Sequence, residues 1–217
     1  MPNSFRNGGF RLANSRVADT QSQLRVYPAT NGRHATGGGI FVGDAVHLNT
    51  SGFIVPAAST ASTGASVIGV VAAVTKLDAA PTNVSIPDTM ANPTNLDRSG
   101  MYLAPGEFGW VWVIPAEGNT FEAVNVHTST TVAIIGDLVS IVGTTTGSAL
   151  TATTVADGPD TAHGASPTFI STMAVNTSLT TNPDVRVLGV SYSTDSGDNT
   201  AANSRILVEF NNPQFQS

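Results

Sequence analysis

The chain has no cysteine and few charged residues. The absence of cysteine among 217 residues excludes disulfide bonds and thiolate metal sites as sources of stability. Charged residues make up 11% of the chain, and lysine occurs once, at Lys76, whereas charged residues normally supply about a quarter of a soluble domain. A surface so poor in charge is typical of a protein that covers part of itself with another protein. We therefore expect self-association, as a trimer.

Long apolar runs are also absent. No stretch approaches the roughly 18 apolar residues of a membrane span, and the first residues lack the apolar core of a signal peptide. These patterns predict a protein made in the cytoplasm, with no membrane partner. No window shows a sustained apolar period of about 3.6 residues, so we expect little helix.

One pattern occurs twice in the chain. The stretch from Gly43 to Pro56 predicts two short strands joined by a polar turn, and the stretch from Gly136 to Ala152 repeats its Gly-Asp opening and its alternating apolar residues. The sequence therefore predicts an all-β fold, a small barrel or sandwich built from a degenerate duplicated strand-turn-strand unit.

The Gly-Asp pairs predict structural turns at Gly43, Asp44, Gly136 and Asp137. Glycine adopts backbone angles that a side chain forbids, and the neighbouring Asp can accept hydrogen bonds from turn amides. Each unit also has a downstream strand with an internal glycine, where a neighbouring backbone can approach closely. We align these downstream strands as Val67-Ile68-Gly69-Val70-Val71 and Val187-Leu188-Gly189-Val190-Ser191.

The first 38 residues differ in charge from the rest. They contain five arginines and a single aspartate, a net charge of +4, whereas residues 39–217 contain four basic and 14 acidic residues, a net charge of −10. Isolated large apolar residues in this stretch are too few to fold alone. We predict an extended N-terminal arm over 1–38 and an all-β body over 39–217, with a hinge at Gly37-Gly38-Gly39. A solvated, disordered tail is the alternative.

Such an arm would lie on an acidic partner surface, held by arginines and anchored by aromatic side chains. We assign that contact to Phe5, Arg6, Phe10, Arg11, Arg16, Arg25 and Tyr27.

The residue patterns of common enzymes are missing. The four histidines are isolated from one another, no Gly-x-Ser-x-Gly segment occurs, and the four glutamates show no local pairing. We predict that the protein is not an enzyme and assign no catalytic, cofactor-binding or metal residues. The −10 charge of the body disfavours nucleic acid as a partner.

The strongest strand signal lies at residues 101–115. Trp110 and Trp112 share one face of that strand, and Val111 and Val113 share the other. The tryptophans are either core residues or an aromatic face offered to a partner.

At these residues the chain resembles the head-decoration, or capsid cement, proteins of tailed bacteriophages. The similarity covers roughly residues 40 to 210. It lies in the two Gly-Asp-x-Val corners, the Ile68-Gly69-Val70 and Leu188-Gly189-Val190 strands, and the aromatic strand from Tyr102 to Ile114. The longer basic arm and a proline-rich stretch over 78–100 depart from that group.

The resemblance implies a compact all-β module, commonly trimeric, that binds the outside of an expanded shell and holds it against internal DNA pressure. The expected partner is the major capsid protein, and the expected location is the outer capsid surface of the virion. Two alternatives stay open. One is a carbohydrate-binding β-module of a phage fibre or tail tip that uses Trp110, Trp112 or Tyr102 for stacking, and the other is a small hydrolase with dispersed residues.

Overall fold

The structure, a computed structural model, describes part of the chain. The described residues are 9–15, 24–29, 39–57, 67–77, 102–103, 107–125, 127, 134–143, 171, 173–178, 180, 183–191 and 204–211.

These residues form thirteen strands and no helix, which confirms the all-β prediction. The strands are β1 (Arg11–Ser15), β2 (Arg25–Ala29), β3 (Ile40–Phe41), β4 (Ala45–Leu48), β5 (Ile54–Pro56), β6 (Gly69–Leu77), β7 (Tyr102–Leu103), β8 (Phe108–Pro115), β9 (Asn119–Val124), β10 (Leu138–Gly143), β11 (Met173–Asn176), β12 (Val185–Val190) and β13 (Arg205–Phe210).

The first sheet has the order β2-β8-β6-β4-β5, and all of its pairs are antiparallel. Its edge strands β2 and β5 approach each other without pairing among the described residues, so the sheet curls into a small, partly open barrel, the first barrel. Its inner face is lined by β-branched residues such as Val46, Val71 and Val113, and the short β3-β7 pair adds Ile40 and Leu103 to the same core. Branched side chains suit this pleated, buried surface.

The second sheet has the order β1-β9-β13-β12-β10-β11 and closes on itself to form the second barrel. Asn125, directly after β9, bridges Val175 of β11, and the Gly9 amide, before β1, donates to the Met173 carbonyl at the start of β11 over 2.9 Å. The Asn125 side chain also accepts hydrogen bonds from the amide and hydroxyl of Thr177. These contacts bring β11 against β9 and close the second barrel at this place.

The two barrels repeat one arrangement of five strands. In the first, strands met along the chain as β2, β4, β5, β6 and β8 take the sheet order β2-β8-β6-β4-β5. In the second, strands met as β9, β10, β11, β12 and β13 take the order β9-β13-β12-β10-β11. Each of these five strands has a counterpart at the same place in the other barrel, whereas β1 is an additional strand of the second barrel. The duplication therefore extends well beyond the strand-turn-strand unit in which it was predicted.

The predicted alignment of the third strands is wrong by four residues. The register of β6 shifts at a bulge between Val71 and Ala73, and that of β12 shifts at a bulge between Val187 and Gly189. The structural counterpart of Gly189 is therefore Ala73, not Gly69. The shared Gly-Val pattern misled the alignment because bulges, not glycines, occupy matching places in the two barrels.

The predicted division into an arm over 1–38 and a body over 39–217 does not describe residues 9–15 and 24–29. β1 pairs with β9 in the second barrel, and β2 pairs with β8 in the first. Both strands are part of the folded body. The two sheets supply hydrogen-bond partners for their backbones and apolar contacts for their side chains, which the segment lacks by itself.

The barrels share one continuous core where they meet. Ala45 and Val70, on the outer face of the first barrel, pack in the same cluster as Val139, Val187 and Val208 from inside the second. The shared cluster is apolar, and Phe10 of the N-terminal segment, residues 9–15 and 24–29, lies within it.

Candidate functional site

The two Gly-Asp corners have the same backbone geometry. Gly43 has a φ of 93° and Gly136 a φ of 95°, values in the left-handed region that favours glycine. In both, the Asp amide closes a turn onto a carbonyl three residues earlier, over 3.0 Å. Both pairs are structural turns, as their sequence indicates.

Each corner is tied to the third strand of its own barrel by two backbone hydrogen bonds. The Gly43 amide donates to the Val71 carbonyl, and the Val71 amide donates to the Asp44 carbonyl, both over 2.9 Å. The Gly136 amide donates to the Val187 carbonyl over 2.8 Å, and the Val187 amide donates to the Asp137 carbonyl over 2.9 Å. The corner is therefore a fixed part of the repeated unit.

The aspartate side chains of the two corners differ. Asp44 is 0% exposed, and its Oδ2 accepts a hydrogen bond from the Phe41 amide over 2.8 Å. Burial raises the pKa of the Asp44 carboxyl to about 7, although interactions with the Ser171 side chain and the Phe41 amide oppose the rise. Asp137 is exposed to solvent. Both aspartates were predicted to accept hydrogen bonds from turn amides. The structure shows this bond for the Asp44 side chain.

Phe10 lies in the protein's own core. Its side chain is 3% exposed and packs against the ring of Phe210, with 5.5 Å between the ring centroids. Its amide donates to the Gly43 carbonyl over 2.8 Å. The prediction that Phe10 anchors an arm on a partner is wrong, because this ring is occupied within the molecule.

Arg11 binds a carboxylate of its own chain. Its guanidinium hydrogen-bonds to Glu122, which lies directly opposite on β9. Arg205 on β13 is 3.6 Å from the same carboxylate, and the Ser191 hydroxyl donates to it. Glu122 and Arg205 are each 5% exposed. The group forms a buried polar cluster, which we call the Glu122 cluster.

Burial alone would raise the pKa of Glu122. Hydrogen bonds from Ser191 and Arg11, together with the charges of Arg11 and Arg205, outweigh it and hold the pKa below its usual value. No sequence pattern indicated this cluster, because its members Arg11, Glu122, Ser191 and Arg205 are far apart in the chain.

Two of the other predicted arm residues, Arg25 and Tyr27, lie among the described residues. Arg25 is exposed on β2, opposite Val113, and Tyr27 is partly buried against the core of the first barrel. Phe5, Arg6 and Arg16 lie outside the described residues.

Trp110 and Trp112 are buried, with exposures of 4% and 3%. They pack with Ala73 and with Leu24 and Val26 of the N-terminal segment. A buried ring cannot serve as a stacking platform for a sugar, so neither tryptophan supports carbohydrate binding. The side chain of Tyr102 lies outside the described residues.

Two large apolar side chains are exposed among the described residues, Ile135 at 47% and Leu188 at 37%. They lie close together, since the hydrogen bond from Gly136 to Val187 joins their immediate chain neighbours. Their counterparts in the first barrel are the smaller Val42 and Ala72, which are both partly buried. We call the surface formed by Ile135 and Leu188 the apolar corner.

Within the described ranges, no three histidine, aspartate or glutamate side chains are grouped closely enough to hold a metal ion. No helix long and apolar enough to cross a membrane occurs in this part of the chain. No protein-family model, no curated protein and no solved structure matches the chain.

Proposed function

We propose that this protein is a structural component of a phage virion. It binds the outer capsid surface and stabilises the shell by bridging neighbouring major capsid subunits, without catalysing a reaction. The observation that carries the proposal is the pair of barrels that repeat one arrangement of five strands and are joined through a continuous core.

A duplicated module suits a partner that repeats at a fixed spacing. Once one barrel is bound to a shell subunit, the other is held near the adjacent subunit at a high effective concentration. The continuous core between the barrels fixes their separation, so little orientational freedom is lost when the second contact forms. A rigid bivalent clamp of this kind resists movement between the two subunits that it joins.

The expected binding surface lies on the body, because Phe10 and Arg11 are occupied within the chain. The apolar corner is the best-supported contact with the capsid subunit. Exposed apolar groups beside polar residues mark interaction sites. The same place in the first barrel carries smaller, partly buried side chains, so the apolar corner accounts for the contact made by the second barrel.

The test is co-sedimentation with purified expanded capsids that lack the protein, followed by thermal disruption of the shells. We expect saturable binding and a higher disruption temperature for the decorated shells. A wild-type protein that stays in the supernatant at micromolar concentration contradicts the proposed function.

The contact surface is tested separately with a double variant, Ile135→Asp with Leu188→Asp. Its control adds the same charge at exposed positions of the same barrel, Ser178→Asp with Thr180→Asp. We expect the first variant to lose most of its capsid occupancy and the control to keep it. Equal occupancy in both would place the contact elsewhere and leave the capsid-binding function standing.

A further inference from the structure

Three segments that are far apart in the chain meet around Asp44. They are residues 9–10 before β1, the corner at 43–45, and Ser171 and Met173 at the start of β11. The Ala45 amide lies 3.2 Å from the Met173 sulfur, which accepts its hydrogen bond. The Gly9 and Phe10 amides bond to β11 and to the corner, respectively. We call this place the junction, since both barrels and the N-terminal segment contact one another there.

The junction is closely packed at its centre. A methyl group added at Gly9 would lie 2.6 Å from the Ser171 Cβ and 2.7 Å from the Gly43 carbonyl oxygen. Distances this short leave no space for a side chain at Gly9, and Asp44 beside it is 0% exposed.

The Asp44 carboxyl is incompletely bonded inside this packing. Its Oδ2 accepts the Phe41 amide and the Ser171 side chain also interacts with the carboxyl, whereas the buried Oδ1 has no hydrogen-bond partner among the described residues. A buried oxygen in this condition strongly disfavours a negative charge.

No positive group offsets that cost among the described residues. The elements that meet at the junction carry Arg11 on β1, which binds Glu122, and His47 on β4, and neither contributes to the altered pKa of Asp44. Lys76 lies further along β6, beyond the contact at Val71. β3 and β11 carry no ionisable side chain.

We propose that the junction is a proton-controlled latch. The neutral Asp44 carboxyl holds the N-terminal segment and the two barrels together, and its ionisation opens the contact between them. The second corner has the same backbone but an exposed Asp137, so it lacks this control. The inference does not depend on capsid binding.

The direction of the effect follows from proton linkage. The pKa of Asp44 is about 7 in the closed junction against an ordinary value of 3.8, so the closed state binds the proton more tightly. Closure is favoured at acidic pH and weakens as the pH rises through 7. Between pH 5.5 and 8 the opening constant should rise about thirty-fold.

Amide hydrogen exchange measures the opening directly. We expect protection factors at Gly9, Phe10 and Ala45, corrected for the intrinsic pH dependence of exchange, to fall about thirty-fold between pH 5.5 and 8. The Gly136 and Asp137 amides of the second corner should change little and serve as internal controls. The exchange of individual amides is measured instead of the overall stability, because burial also raises the pKa of Asp184, directly before β12. Asp184 therefore adds its own pH dependence to the overall stability.

In the variant Asp44→Asn the protection factors of the junction amides should no longer fall with pH, because an amide side chain stays neutral over this range. In the matched variant Asp137→Asn they should fall as in the wild type. Unchanged protection in the wild type, or a fall that persists in Asp44→Asn, would overturn the latch. Should Asp44→Asn not fold, the carboxyl ¹³C signal of Asp44 in the wild type decides the question. We expect it to titrate near neutral pH, and a signal that stays constant from pH 5.5 to 8 would refute the proposal.

Discussion

Glu122 and Arg205 lie on neighbouring strands of the second barrel, with 3.6 Å between the carboxylate and the guanidinium, and both are almost fully buried. Removing one charge of such a pair leaves the other buried without its counter-charge, which is far more costly than losing an exposed pair. Glu122→Gln should therefore lower the free energy of unfolding by about 3 to 5 kcal/mol, measured by urea denaturation at pH 7.

The control for this change is Glu209→Gln. Glu209 is 4.0 Å from Arg186, and both side chains are substantially exposed, so its loss should cost at most about 0.5 kcal/mol. Similar costs for the two substitutions would show that the Glu122 cluster is no more than a surface interaction.

The lowered pKa of Glu122 gives the cluster a defined pH dependence. Its stabilisation is fully present above the ordinary pKa of 4.5 and is lost as the pH falls through the lower folded-state pKa. Acid denaturation of the wild type should show a steep fall in stability below about pH 4 that is reduced in Glu122→Gln. Parallel curves for the two proteins would contradict this assignment.

The N-terminal segment should be required for folding. A protein that begins at residue 39 lacks β1 and β2, and it loses the Phe10 ring from the core. We expect it to lose cooperative thermal unfolding and to bind the dye ANS. Phe10→Ala in the full chain should cost about 3 to 5 kcal/mol, whereas Arg25→Ala, at an exposed position, should cost little. A truncated protein with the wild-type melting temperature would restore the view of this segment as an arm.

Parts of this architecture could be read from the sequence because they depend on local chemistry. A Gly-Asp pair followed by alternating apolar residues specifies a turn and a strand, and both corners have that form. The role of Phe10 could not be read in this way. Its partner Phe210 is at the other end of the chain, and no local pattern encodes a contact of that range. The charge of residues 1–38 suggested an arm, yet Arg11 is bound by Glu122 of its own chain.

The two glycines that were aligned in sequence should respond differently to substitution. A Cβ at Gly69 would lie 2.0 Å from the Ile114 carbonyl oxygen, whereas at Gly189 the nearest atom, on Leu207, is 4.0 Å away. Gly69→Ala should therefore cost about 3 kcal/mol through the forced separation of β6 and β8, and Gly189→Ala should stay within about 0.5 kcal/mol of the wild type. Differential scanning calorimetry of the two variants would reveal whether both sites tolerate a methyl group.

Asp44 should make overall stability fall as the pH rises, opposite in sign to Glu122. Its raised pKa means that stability is fully present below the ordinary value of 3.8 and decreases up to about pH 7. A shift of this size corresponds to up to about 4 kcal/mol at pH 8. The free energy of unfolding of Asp44→Asn minus that of the wild type should therefore be larger at pH 8 than at pH 5. Guanidinium denaturation at the two pH values measures this difference. A difference that does not vary with pH would count against a buried neutral carboxyl.

The closure of the second barrel by the first strand of the chain has a consequence for synthesis. β1 leaves the ribosome long before β9 and β11, which it must contact, so the second barrel cannot be completed while the chain is still short. Until then, Phe10 has no aromatic partner and remains accessible to chaperones. β1 thus reaches its final place only after β9 and β11 have been made, whereas all five strands of the first barrel precede β9 in the chain and can pair earlier.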